Sequence, residues 1–173
     1  MNIADLAASA VKGITRTNSA FLKVRREAPE LSPPDVRKID GTRWELGFAQ
    51  CDITPDDVFS KKTWIAGFGI GRRMEGVHDP MTARAVWLGT ENGGYLHIYF
   101  DAIGFTNTEV CVVRERLASL SFAANCLGVH ISCTLTHAGI DTVGYWGKLP
   151  RTGKDPELME RIFSRAAAIG FRA

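Results

Sequence analysis

The side chains best suited to chemistry in this sequence gather around a few short motifs. His137 stands where an alternating run, Val129–Thr136, gives way to Ala138-Gly139-Ile140-Asp141, a small-residue bend that exposes backbone N–H groups. An imidazole so placed can ligate a metal, move a proton or touch a substrate; the alternative is a capped core histidine. Asp101 closes Tyr99-Phe100-Asp101. A carboxylate at a strand end can orient an imidazole and fix the tautomer of a metal-bound histidine, or it can cap the next helix. In Gly76-Val77-His78-Asp79-Pro80, His78 either contacts substrate or closes the turn before proline. Arg84 interrupts an apolar run and needs a partner, because an unpaired buried guanidinium is costly. That partner is Asp101, Asp141 or an acceptor group of a substrate. Gly139, Asp141 and Trp146 belong to a glycine-rich stretch, 138–154, too long for a simple connector and suited to covering a substrate site. His130 has the opposite strand parity to His137, so on a regular strand the two point to different faces and cannot share one metal.

These residues must be positioned by a small body. The 173 residues suffice for one domain or part of a larger one. Hydrophobic residues make up 45% and charged residues 23%, enough to build a core and too balanced for global disorder. The net charge of +2 is scattered, which argues against a nucleic-acid partner. No apolar run approaches the roughly 20 residues that span a bilayer, so no transmembrane segment is expected. Asp5 comes before Lys12 in the first residues, the reverse of a secretory leader's order, and a cytoplasmic location is expected. Cys51, Cys111, Cys126 and Cys133 form no CxxC pair and read as buried reduced thiols. HExxH, HxH and GxSxG are absent, which removes the common zinc-protease and α/β-hydrolase signatures. Gly67-Phe68-Gly69-Ile70-Gly71 lacks the spacing of a dinucleotide loop and reads as a turn whose backbone approaches another segment or a ligand closely.

Residues 1–42 carry one of sixteen aromatics but three of seven prolines, and read as a helical and extended arm before a main body at 43–173. Ile3, Leu6, Ala7, Ala10, Val11 and Ile14 recur at helical spacing there. In the body, 44–53 reads as a strand ended by Thr54-Pro55. Two further strands, Ala83–Leu88 and Tyr95–Phe100, flank turn chemistry at Glu91-Asn92-Gly93-Gly94 and form a hairpin. Thr106-x-x-Glu109 is a capping box for a helix over about 107–122, with Val110, Val113, Leu117 and Leu120 on its apolar face. A strand over 129–136 follows, and Asp155-Pro156 opens a last helix with Leu158, Ile162, Ala166 and Ile169 inward, ending at Gly170. The expectation is an α/β fold: a mixed sheet with a β-hairpin and a βαβ crossover, forming an incomplete portion of a larger catalytic domain. Ligands of such sheets collect beyond the carboxyl ends of the strands, where Asp101 and His137 fall.

Five motifs in order and in register, Asp52-Ile53-Thr54-Pro55, Gly67–Gly71, Gly76–Ala85, Asp101-Ala102-Ile103-Gly104 and Thr134–Thr142, resemble the N-terminal catalytic part of the neutral/alkaline non-lysosomal ceramidases. The resemblance covers roughly residues 43–165, and Thr134-Leu135-Thr136-His137-Ala138-Gly139-Ile140 is similar to that family's Thr-His-Thr-His-Ser-Gly-Pro. It implies a zinc amidase acting on the N-acyl bond of ceramide or a related small-molecule or lipid N-acyl substrate, with further metal ligands lying beyond residue 173. Of the residues singled out above, Asp101 and His137 are the expected catalytic residues, with His137 as the expected metal ligand, and His78, Arg84, Gly139, Asp141 and Trp146 are the expected substrate contacts. Leu135 occupies the place of the family's first histidine, a zinc ligand. Either His137 takes over as ligand, or zinc is lost and the scaffold serves as a binding or regulatory domain. The sequence sets no oligomeric state.

Overall fold

The computed structural model describes residues 39–56, 63–148 and 150–173; the apolar positions of the N-terminal arm lie outside them. Four strands form one sheet in the order β1 (Trp44–Asp52), β2 (Thr82–Thr90), β3 (Gly93–Phe100) and β4 (Cys126–Cys133). β1, β2 and β3 pair antiparallel, and β3 and β4 pair parallel with Phe100 opposite Cys133. The connection between the parallel strands is helical, α1 (Asn107–Arg116) followed by the single turn α2 (Leu120–Ala123). The helix α3 (Pro156–Gly170) closes the described chain. Hairpin, crossover and mixed α/β sheet are therefore all present.

Periodicity explains these elements. Ala83, Ala85, Leu96, Ile98 and Phe100 alternate inward and meet Val113 and Leu117 of the crossover and Leu158, Met159, Ile162, Phe163, Ala166 and Ile169 of α3. Each large side chain so buried contributes roughly 1.5–3 kcal/mol. The opposite face of the sheet leaves Trp44, Leu46, Phe48, Leu88 and Tyr99 exposed. All four cysteines are free and partly buried, and burial pushes the Cys133 thiol up to about 11.

Two boundaries differ from the sequence pattern, and a third, the helix end at Gly170, is met but for a packing reason. The predicted helix over 107–122 breaks after Arg116, although Leu117 and Leu120 still point inward. The fourth strand is shifted to 126–133, so Leu135 and His137 lie beyond it and the alternation over 129–136 does not govern them. Gly170 sits inside α3 against Leu117, where a Cβ would lie 2.7 Å from its side chain, so close packing and not a left-handed cap requires glycine there.

Helix starts are held as the caps predict. Asp155 accepts the amides of Glu157 at 2.9 Å and Leu158 at 3.1 Å, and Glu109 accepts the Thr106 amide at 2.7 Å. Glu109 is itself buried and pairs with the equally buried Lys154 at 2.7 Å, which fastens the end of the glycine-rich stretch to the crossover helix. Breaking a buried pair strands one charge. Lys154→Ala should lower stability by about 3–5 kcal/mol in denaturant unfolding, whereas replacing Lys154 and Glu109 together by methionine should cost less than the single change.

Candidate functional site

The strand ends at Phe100 and Cys133 and the start of β2 meet at one end of the sheet, and two loops cover it, 63–76 and 134–148. Asp141 organises the second loop. It is buried at 3% exposure, and its carboxylate accepts the amides of Val143 at 3.1 Å, Gly144 at 2.5 Å and Trp146 at 2.8 Å. Gly153 packs so closely that a Cβ would lie 1.9 Å from the carboxylate. Asp141, a candidate substrate contact from the sequence, is thus engaged with its own loop.

The two loops are tied to each other. Ala66 donates to the Gly139 carbonyl at 3.0 Å, Asp141 to Trp64 at 2.8 Å and Gly71 to Trp146 at 2.8 Å. Gly67 adopts φ 101° and sits against His137, where a Cβ would come within 2.5 Å of the imidazole's own Cβ. The close approach of the Gly67–Gly71 turn is therefore to the histidine. Phe68 meets the His137 ring edge-on, with centroids 5.8 Å apart.

Asp101 is held by the strands. It accepts the Thr82 amide at 2.9 Å and the Thr82 hydroxyl at 2.8 Å, and Arg84 reaches it with Nη2 at 3.1 Å and Nη1 at 3.4 Å. Arg84's partner is thus Asp101. Beside this pair lies a cleft of about 270 Å³ lined by Met74, Val77, His78, Pro80, Met81, Asp101, Thr136, Ala138 and Gly139, among others. His78, Asp101 and Gly139 are brought together there. His137 enters only through its neighbours Thr136 and Ala138; its ring lies on the Gly67 and Phe68 side. Trp146 is half-buried beside Tyr145, 6.1 Å between centroids, and does not line the cleft.

At the lip, His78 Nδ1 bonds Asp79 at 2.8 Å. That bond, aided by the carboxylate's charge, raises the His78 pKa above the ordinary histidine value. His130 and His97 lie elsewhere, on the open sheet face in register across β3 and β4. His97 bonds Ser132 and is held below the ordinary value by burial and then by His130.

A strand over 129–136 would hold Leu135 extended; instead it has φ 60° and is exposed. A left-handed leucine is strained by roughly 1–3 kcal/mol. No sequence pattern marked this conformation, nor the seat that Gly67 makes for His137.

No family's sequence profile matches this chain, and no curated protein matches it. Among solved structures it superposes on the neutral ceramidase from Pseudomonas aeruginosa with a TM-score of 0.58 at 19% identity, over 78% of this chain. The fold is that of part of a neutral ceramidase. The chain spans 22% of that ceramidase's length. A ceramidase complexed with C2 also matches, at 17% identity and a TM-score of 0.46, over 75% of this chain and 20% of the other.

Two backbone positions should respond with opposite signs in thermal unfolding. Gly67→Ala should destabilise by more than about 1 kcal/mol, combining a positive φ with a collision at His137. Leu135→Asn should stabilise by about 1 kcal/mol by relieving strain. In an NMR titration His78 should lose its proton above pH 6.5, and Asp79→Asn should bring its midpoint back down.

Proposed function

We propose that this chain forms the acyl-amide-binding part of a ceramidase-like N-acyl amidohydrolase. The observation that carries the reading is the coincidence of the ceramidase fold with a cleft at the carboxyl end of β3, walled by Met74 and Met81 and lipped by His78 and Asp79. The methionines offer an apolar surface that adapts to an acyl segment. His78, when protonated, can donate to an amide carbonyl, and Asp79 raises its hold on that proton, while the Arg84–Asp101 pair keeps the inner carboxylate fixed as the substrate is oriented.

Zinc would supply the Lewis acid and the activated water of such a hydrolase. The described residues alone do not fit it: no three histidine, cysteine, aspartate or glutamate side chains gather among them to hold a metal ion. Asp101 is engaged by Arg84 and Thr82, and Leu135 stands where the ceramidase motif has a histidine. That same observation favours a second reading, in which the scaffold binds N-acyl substrates without cleaving them.

The two are separated by measuring, on one preparation, binding of a short-chain N-acylsphingosine by calorimetry and release of its fatty acid by mass spectrometry, with and without added zinc. Binding with release supports the amidohydrolase; binding without release supports the binding domain; absence of both sinks each reading. His78→Ala should weaken binding about tenfold, the worth of one hydrogen bond to a charged group.

A further inference from the structure

A second groove, of about 690 Å³, opens beside the cleft, and Trp64, Arg72, Arg73, Glu75, Gly76 and Lys148 are among the residues that line it. Gly76 lines the cleft as well, so the two are continuous. A Cβ added at Gly76 would meet nothing within 4 Å, which leaves the way between them open. Three of the groove's side chains are cations and one, Glu75, is a carboxylate. Its net charge is therefore positive.

The backbone holds these cations in place. Trp64 bridges Arg73 in an antiparallel pair, Ile65 donates to the Arg72 carbonyl at 3.0 Å, and Gly71 donates to Trp146 at 2.8 Å, which brings the Lys148 loop alongside. The Arg73 guanidinium sits over the buried Trp64 ring, 3.9 Å from its centroid, a contact that fixes a planar cation on the groove wall. Arg43, Arg84, Arg116, Arg161 and Arg165 each reach a carboxylate, whereas the exposed Arg72 and Lys148 form no salt bridge among the described residues. Above an indole floor, the attraction of such cations for an anion is screened less than in bulk water.

We infer that this groove receives an anionic group carried by the substrate, so that the preferred ligand is an N-acyl compound with a carboxylate near its amide, an N-acylated amino acid in the simplest case. The inference rests on the N-acyl reading and deepens it by naming the substrate class. With the amide at the His78 lip, the acid extends past Gly76 toward Arg72 and Lys148, where charge-assisted hydrogen bonds form. The methionine walls of the cleft meet only the acyl chain. Discrimination between an acidic and a neutral N-acyl compound therefore falls to the groove.

Calorimetry on the full chain compares N-octanoylglycine with N-octanoylglycinamide, near isosteres that differ in terminal charge. The acid should bind at least about tenfold tighter at low salt, and high salt should shrink that ratio. Arg72→Ala and Lys148→Ala should each reduce the ratio about threefold, and Glu75→Gln, which removes the opposing carboxylate, should raise it about twofold. All three side chains are exposed, and each variant is checked for a cooperative melt; should an alanine variant not fold, the rise in Glu75→Gln decides the matter. Equal binding of acid and amide, or a preference that survives Arg72→Ala combined with Lys148→Ala, overturns the inference and leaves the N-acyl reading standing. Binding of neither compound rejects that reading and the inference together.

Discussion

The Asp141 carboxylate is the point on which the site end of this molecule depends. Three amide N–H groups from its own loop converge on it in a buried setting, where leaving them unpaired would cost about 1–3 kcal/mol apiece. With the loop held, its Gly139 and Trp146 carbonyls accept the Ala66 and Gly71 amides, its Asp141 amide donates to the Trp64 carbonyl, and His137 is pressed against Gly67. A loop of this length would otherwise lie free over the sheet. Its far end is fastened through Lys154 to Glu109, so one chain of polar contacts runs from the crossover helix to the lip of the cleft.

This arrangement divides the polar side chains of the motifs between the scaffold and the cleft. Arg84 and Asp101 neutralise each other at the strand ends while Thr82 donates to the carboxylate, and Asp141 serves its loop. His78, Gly139 and the methionine walls face the cleft, while His137 looks toward Phe68. The fold therefore places a cleft at the expected end of the sheet without completing a metal centre from the described residues.

Much of the architecture was legible because it follows short-range periodicity. Alternation in 44–52 and 82–100, turn chemistry at Glu91-Asn92, and the caps Thr106–Glu109 and Asp155-Pro156 each dictate local conformation, and the structure realises them. The readings that failed relied on extending a pattern past its physical cause. The alternation of Val129–Thr136 continues in composition, but pairing with β3 ends at Phe100 and Cys133, so nothing holds Leu135 in a strand. The last helix does end at Gly170 as its spacing indicates, but the glycine is required by packing against Leu117 and not by a left-handed cap.

What the sequence determined by itself is the set of elements, their order and the mixed sheet, because hydrogen-bond periodicity and burial act between near neighbours and leave a trace in residue spacing. What only the tertiary structure decided is which polar groups meet: Arg84 with Asp101, Glu109 with Lys154, Asp141 with its loop amides and Gly67 with His137. Apart from the Asp141 turn, such pairings join residues far apart in the chain. Their energies depend on distances of a few ångströms set by the packed core, and linear spacing carries no record of those.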